Sequence, residues 1–213
     1  MQFQGGSMQS HFRKYLPHLS QFHSPAVYVP SFDEIHCLIE VANSHESTQA
    51  VGDLAYIVAS SGLRMAELAS LRVTDIVSDL GLVQIESQHQ TTTRYVPVSL
   101  RTLRCLASLH ARFPDSELVF GDRSRSFLQT LLRKFHSLAV KIGAERMLLH
   151  SLRCAMLENL SVLAKTDQEL AAIQYLAGHV PSSPESDLDF QTILEIAKRL
   201  FEKLWSKLDA KKA

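Results

Sequence analysis

The sequence has no apolar run long enough to span a bilayer, and no signal-peptide pattern opens it. Cysteine is scarce, because Cys37, Cys105 and Cys154 are odd in number, far apart and without paired metal-ligand spacing. Such thiols are typical of a reducing compartment, not of a disulfide scaffold or a structural metal site. These absences argue against a membrane protein and a disulfide-rich secreted domain, and we expect a cytoplasmic protein.

Internal repeats and low-complexity tracts are also absent, and 213 residues suffice for one well-buried domain. Residues 1–7 (MQFQGGS) look like an expression remnant ahead of a second methionine. Residues 8–30 lack clear periodicity and contain Pro25 and Pro30, which disfavour a long regular element. We therefore expect a linker or arm over 8–30 and one domain over 31–213.

The formal net charge is zero, yet the charge is unevenly distributed. The segment 94–153 has eleven basic and four acidic residues, a net charge of +7, so the rest of the chain has −7. Such separation favours a polyanion on one face, although a solvated, arginine-rich helical surface would give the same count. The basic residues predicted to contact the polyanion are Arg94, Arg123, Arg125, Arg133 and Lys134.

Periodicity predicts a mainly α fold with a small three-stranded antiparallel β-sheet inserted early. The strands are expected over 82–85 and 95–98, with 73–77 before them, and Pro97 should lie on an edge or at a strand end. A short helix should follow Arg64. The other helices are expected over about 32–43, 48–60, 100–112, 124–142, 149–163, 167–177 and 187–210.

A glycine turn leads into an arginine in the stretch 61–68 (SGLRMAEL). Leu68 and Leu71 recur at helical spacing, so we expect Arg64 at the exposed mouth of an anchored turn. A guanidinium there can bind two oxygens of one phosphate, and Glu67, one helical turn on, can orient it. The alternative is an ordinary surface arginine in an i,i+3 ion pair.

Two further groups of side chains suit phosphoryl chemistry. His150 and Arg153 lie three residues apart, so on a helix they project from one face, where they could move a proton and stabilise charge on phosphate oxygens. His179 follows Gly178, which is expected to end a helix. Each group also has a structural interpretation: a half-buried histidine beside a surface arginine, and a histidine that caps free carbonyl groups.

Taken in order, the segments 62–68 (GLRMAEL), 150–153 (HSLR) and 176–179 (LAGH) resemble the catalytic domain of the tyrosine recombinase, or phage integrase, family. The resemblance implies a mainly helical domain with a small sheet that cleaves and rejoins double-stranded DNA through a 3′-phosphotyrosyl link. It assigns Arg64 and Arg153 to the scissile phosphate, with His150 and His179 as the positioned histidines. No metal or other cofactor is then expected, because the arginines neutralise the phosphate.

The sequence departs from the family pattern at two positions. The family's general-acid lysine falls at or next to His89, in a loop over 88–93 without lysine; a histidine can donate a proton there with a lower pKa and shorter reach. The usual spacing puts the nucleophilic tyrosine at Leu188, and no tyrosine follows Tyr175. Phe190 fits the position if the preceding turn is slightly longer. Phenylalanine has no attacking oxygen, so we expect the chain as written to be unable to cleave DNA.

Phe190 admits two explanations. It is either an engineered replacement of the nucleophile, which the tag-like start of the chain favours, or the mark of a natural cleavage-dead relative that binds DNA or acts as an accessory protein. A third interpretation, from another class, is a helical protein-interaction module whose arginines are surface residues. That module would show no salt-dependent affinity for DNA.

The segment after Phe190 has a broad apolar stripe flanked by basic residues. Two roles are open for it. It could pack onto its own domain, or it could pass to a neighbouring subunit, as relatives of the family often do. Exchange would give a homo-oligomer on DNA.

Overall fold

The computed structural model describes residues 28–86, 93–178 and 189–210. Within these ranges eight α-helices and three strands alternate with short turns, and no helix there is both long and apolar enough to cross a membrane. The strands are β1 (Ile76–Val77), β2 (Leu82–Glu86) and β3 (Thr93–Pro97). The helices are α1 (Phe32–Asn43), α2 (Glu46–Ser61), α3 (Met65–Ser70), α4 (Leu100–His110), α5 (Ser124–Lys141), α6 (Leu149–Leu163), α7 (Asp167–Leu176) and α8 (Phe190–Asp209).

The three strands form one antiparallel sheet in the order β1-β2-β3, which confirms the predicted fold class. Pro97 is the last residue of the edge strand β3, where its missing N–H costs no ladder hydrogen bond. The first strand is shorter than predicted, because residues Val73–Asp75 form a 3₁₀ turn. The Asp75 carboxylate accepts a hydrogen bond from the backbone N–H of Arg72 at 2.8 Å, which favours a turn over an extended strand.

Helix α2 is the centre of the core, and α1, α4, α5, α6 and α8 pack around it. From Ala50 to Ser61 nearly every residue of α2 is buried, so apolar neighbours cover this helix on all sides. Gly62 ends the helix in the left-handed conformation (φ 65°), and its N–H donates to the Val58 carbonyl. This turn delivers the chain to Arg64.

Local signals place most helix starts where the sequence predicted them. Ser31 caps α1 with the side chain of Glu34 completing a capping box, and Ser99 accepts from the N–H of Thr102 at the start of α4. Helix α8 begins at Phe190 instead of near 187, with Asp189 as its cap. Residues 179–188 lie outside the described part of the chain.

Substituting alanine for Gly62 should destabilise the fold strongly. A Cβ at this position would lie 1.7 Å from Cε of Met156, and φ is +65°. Gly143 is the matched control, since its φ is +75° but nothing lies within 4 Å of its would-be Cβ. We expect Gly143→Ala to cost about 1 kcal/mol, for backbone strain alone, and Gly62→Ala about 1–3 kcal/mol more. Urea unfolding of the two variants measures the difference, and equal losses would contradict the close contact.

Candidate functional site

Arg64 lies at the N-terminal end of α3 with its guanidinium directed toward the end of α7. Its backbone N–H donates to Oε2 of Glu67 at 2.8 Å, which fixes the turn. The Nη2 atom donates to the carbonyl oxygen of Ala177 at 2.8 Å, while Nη1 lies 3.4 Å from Oε1 of Glu67. The side chain remains 40% exposed. Arg64 is therefore anchored on one side and open to solvent on the other.

Arg153 reaches the same carbonyl from α6. Its Nη2 atom donates to the carbonyl oxygen of Ala177 at 2.9 Å, and Nη1 donates to the carbonyl of Gly62. The residue is almost fully buried, and this burial, with the charge of Arg64, lowers the pKa of the Arg153 guanidinium to about 10. It stays cationic at pH 7. Two arginines far apart in the sequence thus meet at one backbone oxygen.

His150 occupies the first turn of α6, one turn before Arg153. Partial desolvation lowers the pKa of the His150 imidazole, and the positive charges of Arg153 and Arg64 lower it further. The imidazole is therefore neutral near pH 7 and can accept a proton. His150 is thus within electrostatic range of both arginines.

Arg94 occupies a different place from the exposed surface that the charge pattern suggested. The residue is 8% exposed; Nη1 lies 2.9 Å from Oε1 of Glu67, and Nε donates to the Leu176 carbonyl at 3.3 Å. The sequence signal for this burial was strand alternation, because Arg94 shares a face of β3 with buried Val96. We call Arg64, Arg94, Arg153 and Glu67 together the arginine cluster.

Glu67 is the acidic member of the arginine cluster. Burial alone would raise the pKa of its carboxyl, but the hydrogen bond and charge of Arg94 outweigh burial and hold the pKa below its ordinary value. The backbone N–H of Arg64 and the charge of Arg153 act in the same direction. Glu67 is therefore ionised, and it contacts two of the cluster's arginines, Arg64 and Arg94.

The other predicted DNA contacts lie on and before α5. Arg123, Arg125, Arg133 and Lys134 are all exposed. The first turn of α5 is anchored to α3, because the Ser124 hydroxyl donates to the Ala69 carbonyl at 2.6 Å. Arg123 and Arg125 flank that contact and so lie close to the Arg64 helix. The predicted residues His89 and His179 fall outside the described part of the chain.

Phe190 begins α8 and is 42% exposed. Its ring packs edge-on against Tyr95 and Tyr175, with ring centroids 5.6 and 6.4 Å away. The Tyr175 hydroxyl oxygen accepts the backbone N–H of Tyr95 at 2.9 Å, which joins α7 to β3. Tyr95 follows Arg94, and Tyr175 precedes Leu176, whose carbonyl accepts a hydrogen bond from Arg94, so Phe190 packs beside the arginine cluster.

Gly178 brings the backbone after α7 against this cluster. Its φ is +73°, and a Cβ there would lie 3.0 Å from Nη1 of Arg64. A side chain at this position would crowd the guanidinium. The glycine that was predicted to end the helix therefore also leaves space for the Arg64 guanidinium.

Comparison with known proteins gave two kinds of match. The sequence model of the Phage integrase family matches residues 31–184. A search of curated proteins gave no match. Among solved structures, XerA recombinase is similar with 22% identity and a TM-score of 0.56, covering 87% of this chain and 65% of that one.

Two further solved structures share the fold. An integrase of the transposon Tn1549, in complex with transposon right end DNA, is 12% identical with a TM-score of 0.57, covering 87% of this chain and 62% of that one. A lambda integrase dimer bound to a core site is 17% identical with a TM-score of 0.52, covering 76% and 60%. This chain thus spans less than two thirds of each of these proteins.

Proposed function

Since the chain belongs to the phage integrase family, whose model matches residues 31–184, we propose that it is the catalytic domain of a site-specific DNA recombinase or integrase. The observation that supports this most is the convergence of Arg64 and Arg153 on the carbonyl oxygen of Ala177. The Arg64 side chain is 40% exposed to solvent, whereas Arg153 is buried and donates to two carbonyl oxygens. Such a pair suits a phosphodiester, whose charge grows on the oxygens during transfer.

Each site residue then has a chemical role. Arg64 and Arg153 bind the scissile phosphate, and the neutral imidazole of His150 accepts the proton of an attacking hydroxyl. His179 hydrogen-bonds the phosphate, and His89 protonates the departing 5′ oxygen. In the complete reaction a tyrosine oxygen bonds to phosphorus as the bond to that 5′ oxygen breaks. Phe190 lacks this oxygen, so the chain binds DNA without cleaving it.

Duplex DNA is the proposed ligand. The Tn1549 integrase structure holds transposon end DNA and the lambda integrase dimer is bound to a core site, which supports the same class of ligand here. Arg123, Arg125, Arg133 and Lys134 extend the basic surface beyond the cluster and contact the backbone phosphates of the flanking duplex. A natural cleavage-dead DNA-binding protein is the second candidate, and the phenylalanine at position 190 is the observation that favours it.

The affinity for duplex DNA should fall steeply with salt, because bound phosphates release counterions. Between about 50 and about 200 mM salt we expect a loss of at least about tenfold. Arg64→Ala should weaken binding at both concentrations and make the salt dependence shallower. Fluorescence anisotropy of a labelled duplex measures both quantities.

Arg72→Ala is the matched control for that titration. Arg72 is an exposed arginine whose Nη1 lies 3.4 Å from a carboxylate oxygen of Glu117, the same distance that separates Arg64 from Glu67. Its loss should change affinity little. A DNA affinity that does not change with salt concentration, or no binding at the lower salt concentration, would instead favour the protein-interaction module.

A further inference from the structure

Arg94 has no place among the phosphate contacts proposed above, although it is the most closely paired basic member of the arginine cluster. Its Nη1 lies 2.9 Å from Oε1 of Glu67, and both side chains are only 10% exposed. Arg64 approaches the same oxygen at 3.4 Å, with its side chain 40% exposed. Glu67 therefore has its stronger ion pair inside the protein and its weaker one at the surface.

We propose that Arg94 is a positioning residue that neutralises Glu67 inside the fold and so leaves the solvent-exposed side of the Arg64 guanidinium available to a DNA phosphate. The proposal rests on the proposed function, in that the anion is DNA. It assigns Arg94 a role in phosphate binding without contact with the phosphate, because the atoms of Arg94 are buried.

The charge of the cluster supports this division of roles. Three guanidinium groups and one carboxylate give the cluster a net charge of +2. Without Arg94 the net charge falls to +1, and Glu67 would draw Arg64 into a closer pair. Burial raises the pKa of the Glu67 carboxyl, and the hydrogen bond and charge of Arg94 are the largest influences that lower it, which agrees with this division.

The guanidinium of Arg94 is only partly hydrogen-bonded within the part of the chain that the structure describes. Nη2 is buried and has no hydrogen-bond partner among the described residues. Removing Arg94 would leave the buried Glu67 carboxylate without its closest partner, so Arg94 also contributes to stability. Its positioning role depends on the charge that it places beside Glu67.

A purely structural role is the competing explanation. Arg94 joins β3 to α7 through the Leu176 carbonyl, so its loss could loosen the site by general disorder. The two roles differ in what happens when the carboxylate is also removed. Glu67→Gln takes away the negative charge but keeps an oxygen that can accept the Arg64 N–H. If Arg94 acts through charge, the double variant Arg94→Met/Glu67→Gln regains the properties that Arg94→Met loses.

The direct measurement is the reactivity of the Arg64 guanidinium in the free protein. Phenylglyoxal modifies accessible arginines, and mass spectrometry of peptides gives the rate at each site. We expect Arg94→Met to slow modification of Arg64 by about threefold or more, because Glu67 then pairs with it closely. The double variant should return the rate to that of the original chain. Arg72, paired with Glu117 at the same 3.4 Å, should react equally in all variants.

DNA affinity is the second measurement. Arg94→Met should weaken duplex binding by about tenfold at low salt, and the double variant should recover most of that loss. If the Arg64 rates change as expected but the unsubstituted chain shows no salt-dependent DNA affinity, the positioning role stands and the proposed function fails. If DNA binding is salt-dependent but the Arg64 rate is the same in Arg94→Met, the positioning role is overturned and the proposed function stands.

Folding is checked by circular dichroism before either measurement. Should Arg94→Met not fold, Arg94→Lys replaces it, since lysine keeps the charge beside Glu67 without the planar fork. Arg94→Lys should leave the Arg64 rate near its original value. A rate slowed in Arg94→Met or Arg94→Lys that Glu67→Gln does not restore would show a structural role only, against the proposal.

Discussion

Under the proposed function, Phe190→Tyr is expected to give a chain that forms a covalent protein–DNA adduct, which the chain with Phe190 should not form. In that proposal the arginine cluster and His150 supply charge stabilisation and a proton acceptor, whereas phenylalanine at position 190 has no attacking oxygen. The gain in the rate of adduct formation should be very large, since loss of the nucleophile alone lowers the rate of a hydrolase on the order of a millionfold. The Phe190 ring is 42% exposed and packs edge-on against Tyr95, so a hydroxyl can be added without entering the core.

The test uses a suicide duplex that traps the cleaved strand on the protein, followed by denaturing electrophoresis. Phe190→Tyr/Arg64→Ala is the control, and it should give no adduct although the tyrosine is present. Leu188→Tyr checks the register, because an adduct there and not at 190 would place the nucleophile two positions earlier. A folded Phe190→Tyr chain that gives no adduct on its native site would favour the natural cleavage-dead DNA-binding protein.

Removal of the chain after Thr192 is expected to abolish cooperative folding. Helix α8 packs on α7, α6, α2, α1 and β3 of its own domain. Its buried residues are Leu194, Ile196, Ala197, Leu200, Phe201, Leu204 and Leu208. Burying one large apolar side chain contributes about 1.5–3 kcal/mol, so the set contributes roughly as much as the whole stability of an ordinary domain.

Polar contacts fix the far end of α8 as well. The Trp205 indole donates to the Ser60 carbonyl at 3.0 Å, and the Tyr56 hydroxyl donates to the Asp209 carboxylate at 3.0 Å. Arg101 pairs with the same carboxylate at 2.8 Å and stacks over the Tyr56 ring, 4.0 Å from its centroid. Thermal unfolding followed by circular dichroism should therefore show no transition for the chain cut after Thr192. A cut after Ala210 leaves all of these contacts and should unfold normally.

Exchange of α8 between subunits predicts a different result. If the chain cut after Thr192 keeps its fold but no longer assembles on DNA in sedimentation, the helix serves a neighbouring subunit. Leu204→Ala tests the packing of α8 with a smaller change than truncation. Because Leu204 is fully buried, the free energy of unfolding should fall by about 2–5 kcal/mol. The exposed neighbour Lys203→Ala should have little effect.

The sequence by itself determined the local elements of this protein. Ser31 with Glu34 and Ser99 are start signals that act within one helical turn, so they can be recognised without knowing the fold. Strand alternation and the terminal position of Pro97 are equally local. The order of the three short motifs around Arg64, Arg153 and His179 predicted the family that the family match then showed.

Only the tertiary structure decided how the site is assembled. Arg64 and Arg153 share the carbonyl of Ala177, and Arg94 pairs with Glu67. Both arrangements depend on helices and a strand that are far apart in the sequence but adjacent in the fold. No period of two or of 3.6 residues encodes such partners, because periodicity reports which face is buried and not what it is buried against. The charge pattern counted Arg94 as surface, although strand alternation put it on the buried face of β3, and only the packing of β3 on the end of α7 decided which groups its guanidinium contacts.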